Sequence, residues 1–150
     1  MKVLRYTIKG DPRTKKNSQT IAGAGPRCPS CGKFKKIWVR QGKAHDDYAE
    51  LAGWQLRPKP ATPIDYPINV KCLFYLAADR IVDDLNLQAC VDDLLVENGI
   101  IKDDNRRIVK SHDGTRSFVD RENPRTEIYI TRMPADYAGQ LTLFERSNSK

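Results

Sequence analysis

Apolar and polar positions alternate most regularly at residues 68–76, I-N-V-K-C-L-F-Y-L. A period of two over that length predicts a strand with one buried face. Val3 to Ile8 alternates too, with Val3, Arg5 and Thr7 on one side and Leu4, Tyr6 and Ile8 on the other. P-R-T-E-I-Y-I-T, residues 124–131, reads as the last strand, and Ile37–Val39 and Ile108–Val109 as shorter ones. Between them the period changes. Leu87, Cys90, Val91, Leu94 and Leu95 recur at helical spacing and define one apolar face. Asp83 and Asp84 stand where negative charge suits a helix N-terminus, and Gly99 where a helix stops. A second helix is predicted over His45–Leu56, with Tyr48, Leu51, Ala52 and Gln55 on one face. R-P-K-P-A-T-P, residues 57–63, ends it. The pattern implies an α+β fold: a small mixed sheet with two main helices in a single domain, residues 1–133. Residues 134–150 form a polar, flexible C-terminal tail.

Charge adds a partner class. Lys and Arg outnumber Asp and Glu to give a net charge of +7 in 150 residues, which favours an anionic partner, most simply nucleic acid. No apolar run approaches the ~20 residues that cross a membrane, and the N-terminus carries no apolar signal segment. No membrane association is therefore expected, and the expected location is the cytoplasm. R-T-K-K-N-S-Q, residues 13–19, offers Lys15, Lys16 and Asn17 to phosphates, and Arg106, Arg107 and Lys110 form a second basic group.

Of the four cysteines, Cys72 and Cys90 lie in apolar segments and read as buried thiols. Cys28 and Cys31 belong to a Gly/Pro-rich excursion, residues 22–36, closed by C-P-S-C-G-K. A Cys-x-x-Cys-Gly turn is the usual form of a zinc knuckle. A closed tetrahedral site needs two more ligands. The knuckle is thus incomplete, completed by His45, or shared between two subunits. A redox role is disfavoured, because no βαβ unit surrounds the motif.

Carboxylate pairs stand at both ends of the 83–98 helix, Asp83–Asp84 and Asp103–Asp104. Singly, each pair reads as a cap or a turn. Together, in a basic chain, they are what a Mg²⁺ site on nucleic acid requires. A helix of about 14 residues is only ~21 Å long, so the chain could fold back and join them. His112 reads as a structural hydrogen-bonder.

Four segments in order resemble the RusA family of Holliday-junction resolvases: Y-T-I-K-G-D-P-R-T-K-K-N-S-Q, D-D-L-N-L-Q-A, G-I-I-K-D-D-N and E-N-P-R-T-E-I. The resemblance spans roughly residues 3–131. It implies an α+β homodimer that binds four-way DNA junctions and nicks them with one or two Mg²⁺ ions, in recombination and repair. Carried over by position, Asp83 and Asp104 are the metal aspartates, Asn86 matches the family asparagine, and Asp103 stands beside Asp104. Leu85 stands where the family has a second aspartate and Ala89 where it has a lysine. Asp84 could replace the missing carboxylate. So could Asp93, within about 20° of Asn86 around the helix. Lys102 or Lys110 could supply the missing positive charge. The two departures leave two other readings open: a non-catalytic DNA-binding module with a zinc knuckle, and a nuclease acting on flaps or forks.

The tail carries Q-L-T-L-F, which resembles the Q-L-x-L-F peptide by which bacterial replication and repair proteins bind the sliding clamp. In that reading Gln140 is a polar anchor, while Leu141, Leu143 and Phe144 fill an apolar groove. The alternative is that this apolar segment packs back on the domain as a short strand.

Overall fold

The computed structural model describes residues 3–14, 19–22, 27–33 and 38–134, with 19–22 and 38–41 as backbone only. Within them the elements run β1 (Val3–Lys9), β2 (Gln19–Ala22), β3 (Trp38–Gln41), α1 (Lys43–Gln55), β4 (Ile68–Leu76), α2 (Asp84–Glu97), β5 (Val109–Ser111), β6 (Arg116–Val119) and β7 (Arg125–Arg132). The main sheet is mixed and five-stranded. β4 lies inside it, antiparallel to β7 on one side and parallel to β5 and β6 on the other, and β1 pairs with the far side of β7. β2 and β3 form a separate two-stranded ribbon. The fold is therefore α+β, as the alternating and helical periods imply.

The alternation of β4 is realised without a break: Ile68, Val70, Cys72, Phe74 and Leu76 are buried and the residues between them half-buried. Tyr6, Ile8, Thr126, Ile128 and Ile130 join that buried face from β1 and β7. Both helices cover it. Leu87, Cys90, Val91, Leu94 and Leu95 of α2 are all buried, as their spacing predicts. α2 ends in a Schellman arrangement, with Ile100 N–H on Leu95 O, Gly99 N–H on Val96 O and Gly99 at φ +68°. Only glycine takes that φ at low cost, so the stop predicted at Gly99 has a physical cause.

α1 departs from its expected face. His45, Tyr48 and Ala52 are buried, and Leu56 just beyond the helix with them, while Leu51 is 45% exposed. The stripe is set by a long-range bond, Tyr48 Oη to Thr126 Oγ1 at 2.9 Å, which the local pattern does not encode. Two short strands also escape that pattern. Gln19–Ala22 pairs with Trp38–Gln41, and Arg116–Val119, part of an apparently polar stretch, pairs with β4. Among the described residues no helix is long and apolar enough to cross a membrane.

Candidate functional site

α2 carries its polar chemistry in separate rows. At its start Asp83 is the N-cap, extended at φ −77° and ψ 114°. Its Oδ1 accepts Leu85 N–H at 2.9 Å and its Oδ2 accepts Asn86 Nδ2–H at 3.0 Å. The expected cap is present, and the carboxylate is exposed. Leu85, at the position of the missing aspartate, is 79% exposed. Asp84 instead accepts the Ser117 hydroxyl at 2.5 Å. It opens a row, Asp84, Gln88 and Asp92, that faces the segment 112–117 residue by residue. Gln88 Oε1 accepts Thr115 Oγ1–H at 3.1 Å, Gln88 Nε2 donates to Asp92 Oδ1 at 3.2 Å, and Asp92 Oδ2 pairs with His112 Nε2 at 2.9 Å. Gln88 and Asp92 are buried, although an apolar-periodicity reading assigns polar residues to solvent. His112 has the structural bond expected of it.

The second row brings Asp93 toward the turn after the helix. Partial burial, the neighbouring Asp103 carboxyl and the charges of Asp93 and Asp103 hold Asp104 above the usual carboxylate range. Asp103 is held below that range by its hydrogen bonds with Asn105, whose N–H lies 3.0 Å from Asp103 Oδ1. Arg106, Arg107 and Lys110 are exposed next to this turn. Lys102 pairs with Asp65 at 3.0 Å, which leaves Lys110 as the remaining candidate for the missing lysine charge. Ten helical residues separate Asp83 from Asp93, about 15 Å along the axis. The carboxylates thus occupy two stations, a cap station at Asp83 and a turn station at Asp93, Asp103 and Asp104. Among the described residues no three His, Cys, Asp or Glu side chains form a group placed to hold a metal ion.

A latch ties the start of the basic loop to the approach to α2. Asp11 accepts Ala77 N–H at 3.0 Å and pairs with the Arg80 guanidinium, and Arg13 lies 3.3 Å from the same carboxylate. Burial pushes Asp11 up, but the Arg80 and Ala77 hydrogen bonds and the charges of Arg80 and Arg13 bring it below its ordinary value. A depressed carboxyl contributes stability that is full above the unfolded-state value and is lost as pH falls through the folded one. Asp11→Asn should therefore cost about 1 kcal/mol at neutral pH, after allowance for solvent screening. Urea unfolding at a series of pH values should show the gap to wild type closing in acid. A gap that stays constant to low pH would remove the charge from this account.

The sheet face away from the helices carries basic and aromatic side chains, with Glu127 among them paired to Arg5 and Arg125. Cross-strand register aligns Arg5, Tyr129 and Lys71 in one row and Lys9, Arg125, Tyr75 and Phe118 in another. Arg125 Cζ lies 3.6 Å from the Tyr75 ring centroid, and the Tyr75 and Phe118 rings stack at 5.2 Å. Such rows can contact both bases and backbone of a nucleic acid. Sequence reasoning missed them, although the outward positions of two predicted strands contain Lys71, Tyr75, Arg125 and Tyr129.

His45 does not complete the cysteine knuckle. It is 4% exposed, with Nε2 3.6 Å from the buried Cys90 Sγ. Cys72 is also fully buried, and burial pushes its thiol far up. Lys15, Lys16 and Asn17, and the tail residues Gln140, Leu141, Leu143 and Phe144, lie outside the described residues. No family model matches the chain, and no curated protein matches it.

Proposed function

We propose that the chain is a Mg²⁺-dependent endonuclease of branched DNA that resolves four-way junctions. The observation that carries this reading is the turn station, where partial burial, the neighbouring Asp103 carboxyl and the charges of Asp93 and Asp103 hold Asp104 up, with Arg106 and Arg107 exposed just after it in the chain. A carboxylate held up by burial and by like charge is relieved by a hard divalent cation that takes oxygen ligands. Asp104 with one neighbouring carboxylate would hold the ion, with waters and DNA phosphate filling its other positions, while Asp83 stands apart at the helix start. A bound Mg²⁺ supplies an activated water and neutralises charge on the phosphate. Arg106, Arg107 and Lys110 hold the DNA backbone beside that station, with Lys15, Lys16 and Asn17 as a second group. Asp84 and His112, each bonded to a structural partner, orient segment 112–117 against α2. The likeness to RusA resolvases in four ordered segments supports the junction as substrate and a homodimer as the working form. Two equivalent strands at a junction suit a twofold enzyme.

The deciding experiment is incubation of the purified chain with synthetic four-way junctions, flaps and forks, with and without Mg²⁺. Paired nicks in the junction only when Mg²⁺ is present are expected. Binding without nicking at any Mg²⁺ concentration makes the chain a DNA-binding module, which the basic and aromatic side chains of its sheet face would serve equally well. Preferential cutting of flaps or forks makes it a different branched-DNA nuclease.

The Q-L-T-L-F tail extends the reading to recruitment by the sliding clamp. A peptide of residues 137–147 should bind bacterial clamp, and Leu143→Ala with Phe144→Ala should abolish that binding while nicking is retained. Absence of binding at concentrations on the order of tens of micromolar would end the recruitment idea.

A further inference from the structure

The sequence contains six Cys and His residues, and the fold commits four of them elsewhere. Cys72 and Cys90 are buried in the core, His45 lies against Cys90, and His112 is bonded to Asp92. Cys28 and Cys31 remain, and both are accessible to solvent. They sit between β2 and β3 on a closed turn. Cys28 N–H donates to Lys33 O and Gly32 N–H to Cys28 O, each at 2.9 Å, and Gly32 takes φ +66°. Ser30 Oγ lies within hydrogen-bonding distance of the Cys28 sulfur, at 3.2 Å. The thiolate is the form of cysteine that ligates metal.

Two thiolates are half of a closed zinc site, because structural zinc takes four protein ligands in a tetrahedron. Among the described residues no third Cys, His, Asp or Glu is grouped with them to supply the other half. The ribbon that carries the turn gives a second reason for a staple, since a lone two-stranded ribbon is marginal in water. We propose that Cys28 and Cys31 are one half of a four-cysteine zinc site that closes between two copies of this chain, joining their β2–β3 arms. Each cysteine gives up its thiol proton to solvent on binding, and no redox change occurs.

The site is independent of the nuclease reading, and its test uses no DNA. Full-length chain purified without chelator is assayed for zinc per chain and for mass by sedimentation equilibrium. Metal-free chain is then titrated with Co²⁺, whose sulfur-to-metal charge-transfer absorption grows with the number of thiolates bound. The expected results are one zinc per two chains and a cobalt spectrum of four thiolates that saturates at half an equivalent. Cys28→Ser with Cys31→Ser should take up neither metal while unfolding in urea at the wild-type midpoint for the main domain. If the chains also associate elsewhere, mass does not change on metal removal and the half-equivalent break alone sustains the proposal. One metal per chain, saturation at a whole equivalent, or no uptake by the metal-free chain overturns it.

Discussion

Asp104→Asn is expected to lose junction nicking by about 10³-fold in Mg²⁺, corresponding to several kcal/mol of transition-state stabilisation. DNA binding should be unchanged or tighter, because a negative charge leaves a surface that meets phosphate. Asp104 is the carboxylate held up by partial burial, by the Asp103 carboxyl and by the Asp93 charge, so its replacement removes both a ligand and part of what makes a cation favourable there. Asp93→Asn adds a sign. Without the Asp93 charge, Asp104 should titrate nearer its ordinary range, and the acid limb of the rate profile should move to lower pH in whatever activity is left. Asp103→Asn should cost less, because that carboxylate is already engaged by Asn105. Wild-type cleavage by purified Asp104→Asn would remove the turn station from the mechanism.

The elements legible in the sequence are those whose burial follows one period along their own length. β4, β1 and α2 are of this kind, and β7 is too apart from Glu127, which its ion pairs bury on the opposite face; the cap at Asp83 and the stop at Gly99 are local chemistry of a few residues. The elements that escaped are held by partners far away in sequence. β6 has only exposed and half-buried positions and earns its place by pairing with β4 and by stacking Phe118 on Tyr75, so its own pattern resembles a loop. α1 presents His45 and Ala52 inward and Leu51 outward because Tyr48 is bonded to Thr126 on β7. The candidate site divides in the same way. Asp93 was foreseeable as a flanking carboxylate from helix geometry. The engagement of Asp84 by Ser117, and the burial of Gln88 and Asp92, depend on a segment 20 to 33 residues further on.

That segment yields the largest expected effect on stability. β5 pairs with β4 up to Asn69↔Ser111 and β6 resumes at Leu73↔Arg116, so the pairing gains one residue across the turn 112–115. Gly114 at φ +86° allows the turn, and Cys72 N–H, left without a strand partner, donates to Thr115 Oγ1 at 3.1 Å. The donors then run in one direction: Cys72 to Thr115, Thr115 to Gln88, and Gln88 to Asp92, which also takes His112. Asp92 is the terminal acceptor of both branches. Asp92→Ala leaves the buried Gln88 amide without its acceptor and His112 without its anchor, at a cost of about 3 kcal/mol. His112→Ala should cost about 1 kcal/mol, because that ring is partly exposed and water can replace it. Asp92→Asn should fall between them, since one oxygen remains and the imidazole can present its unprotonated nitrogen to the new amide. Urea unfolding of the two alanine variants and their double mutant reads the connection. A network predicts that the double mutant costs clearly less than the sum of the singles. Additivity within about 0.5 kcal/mol would mean that Asp92 and His112 act separately, and the zipper between α2 and the 112–117 segment would not be a unit.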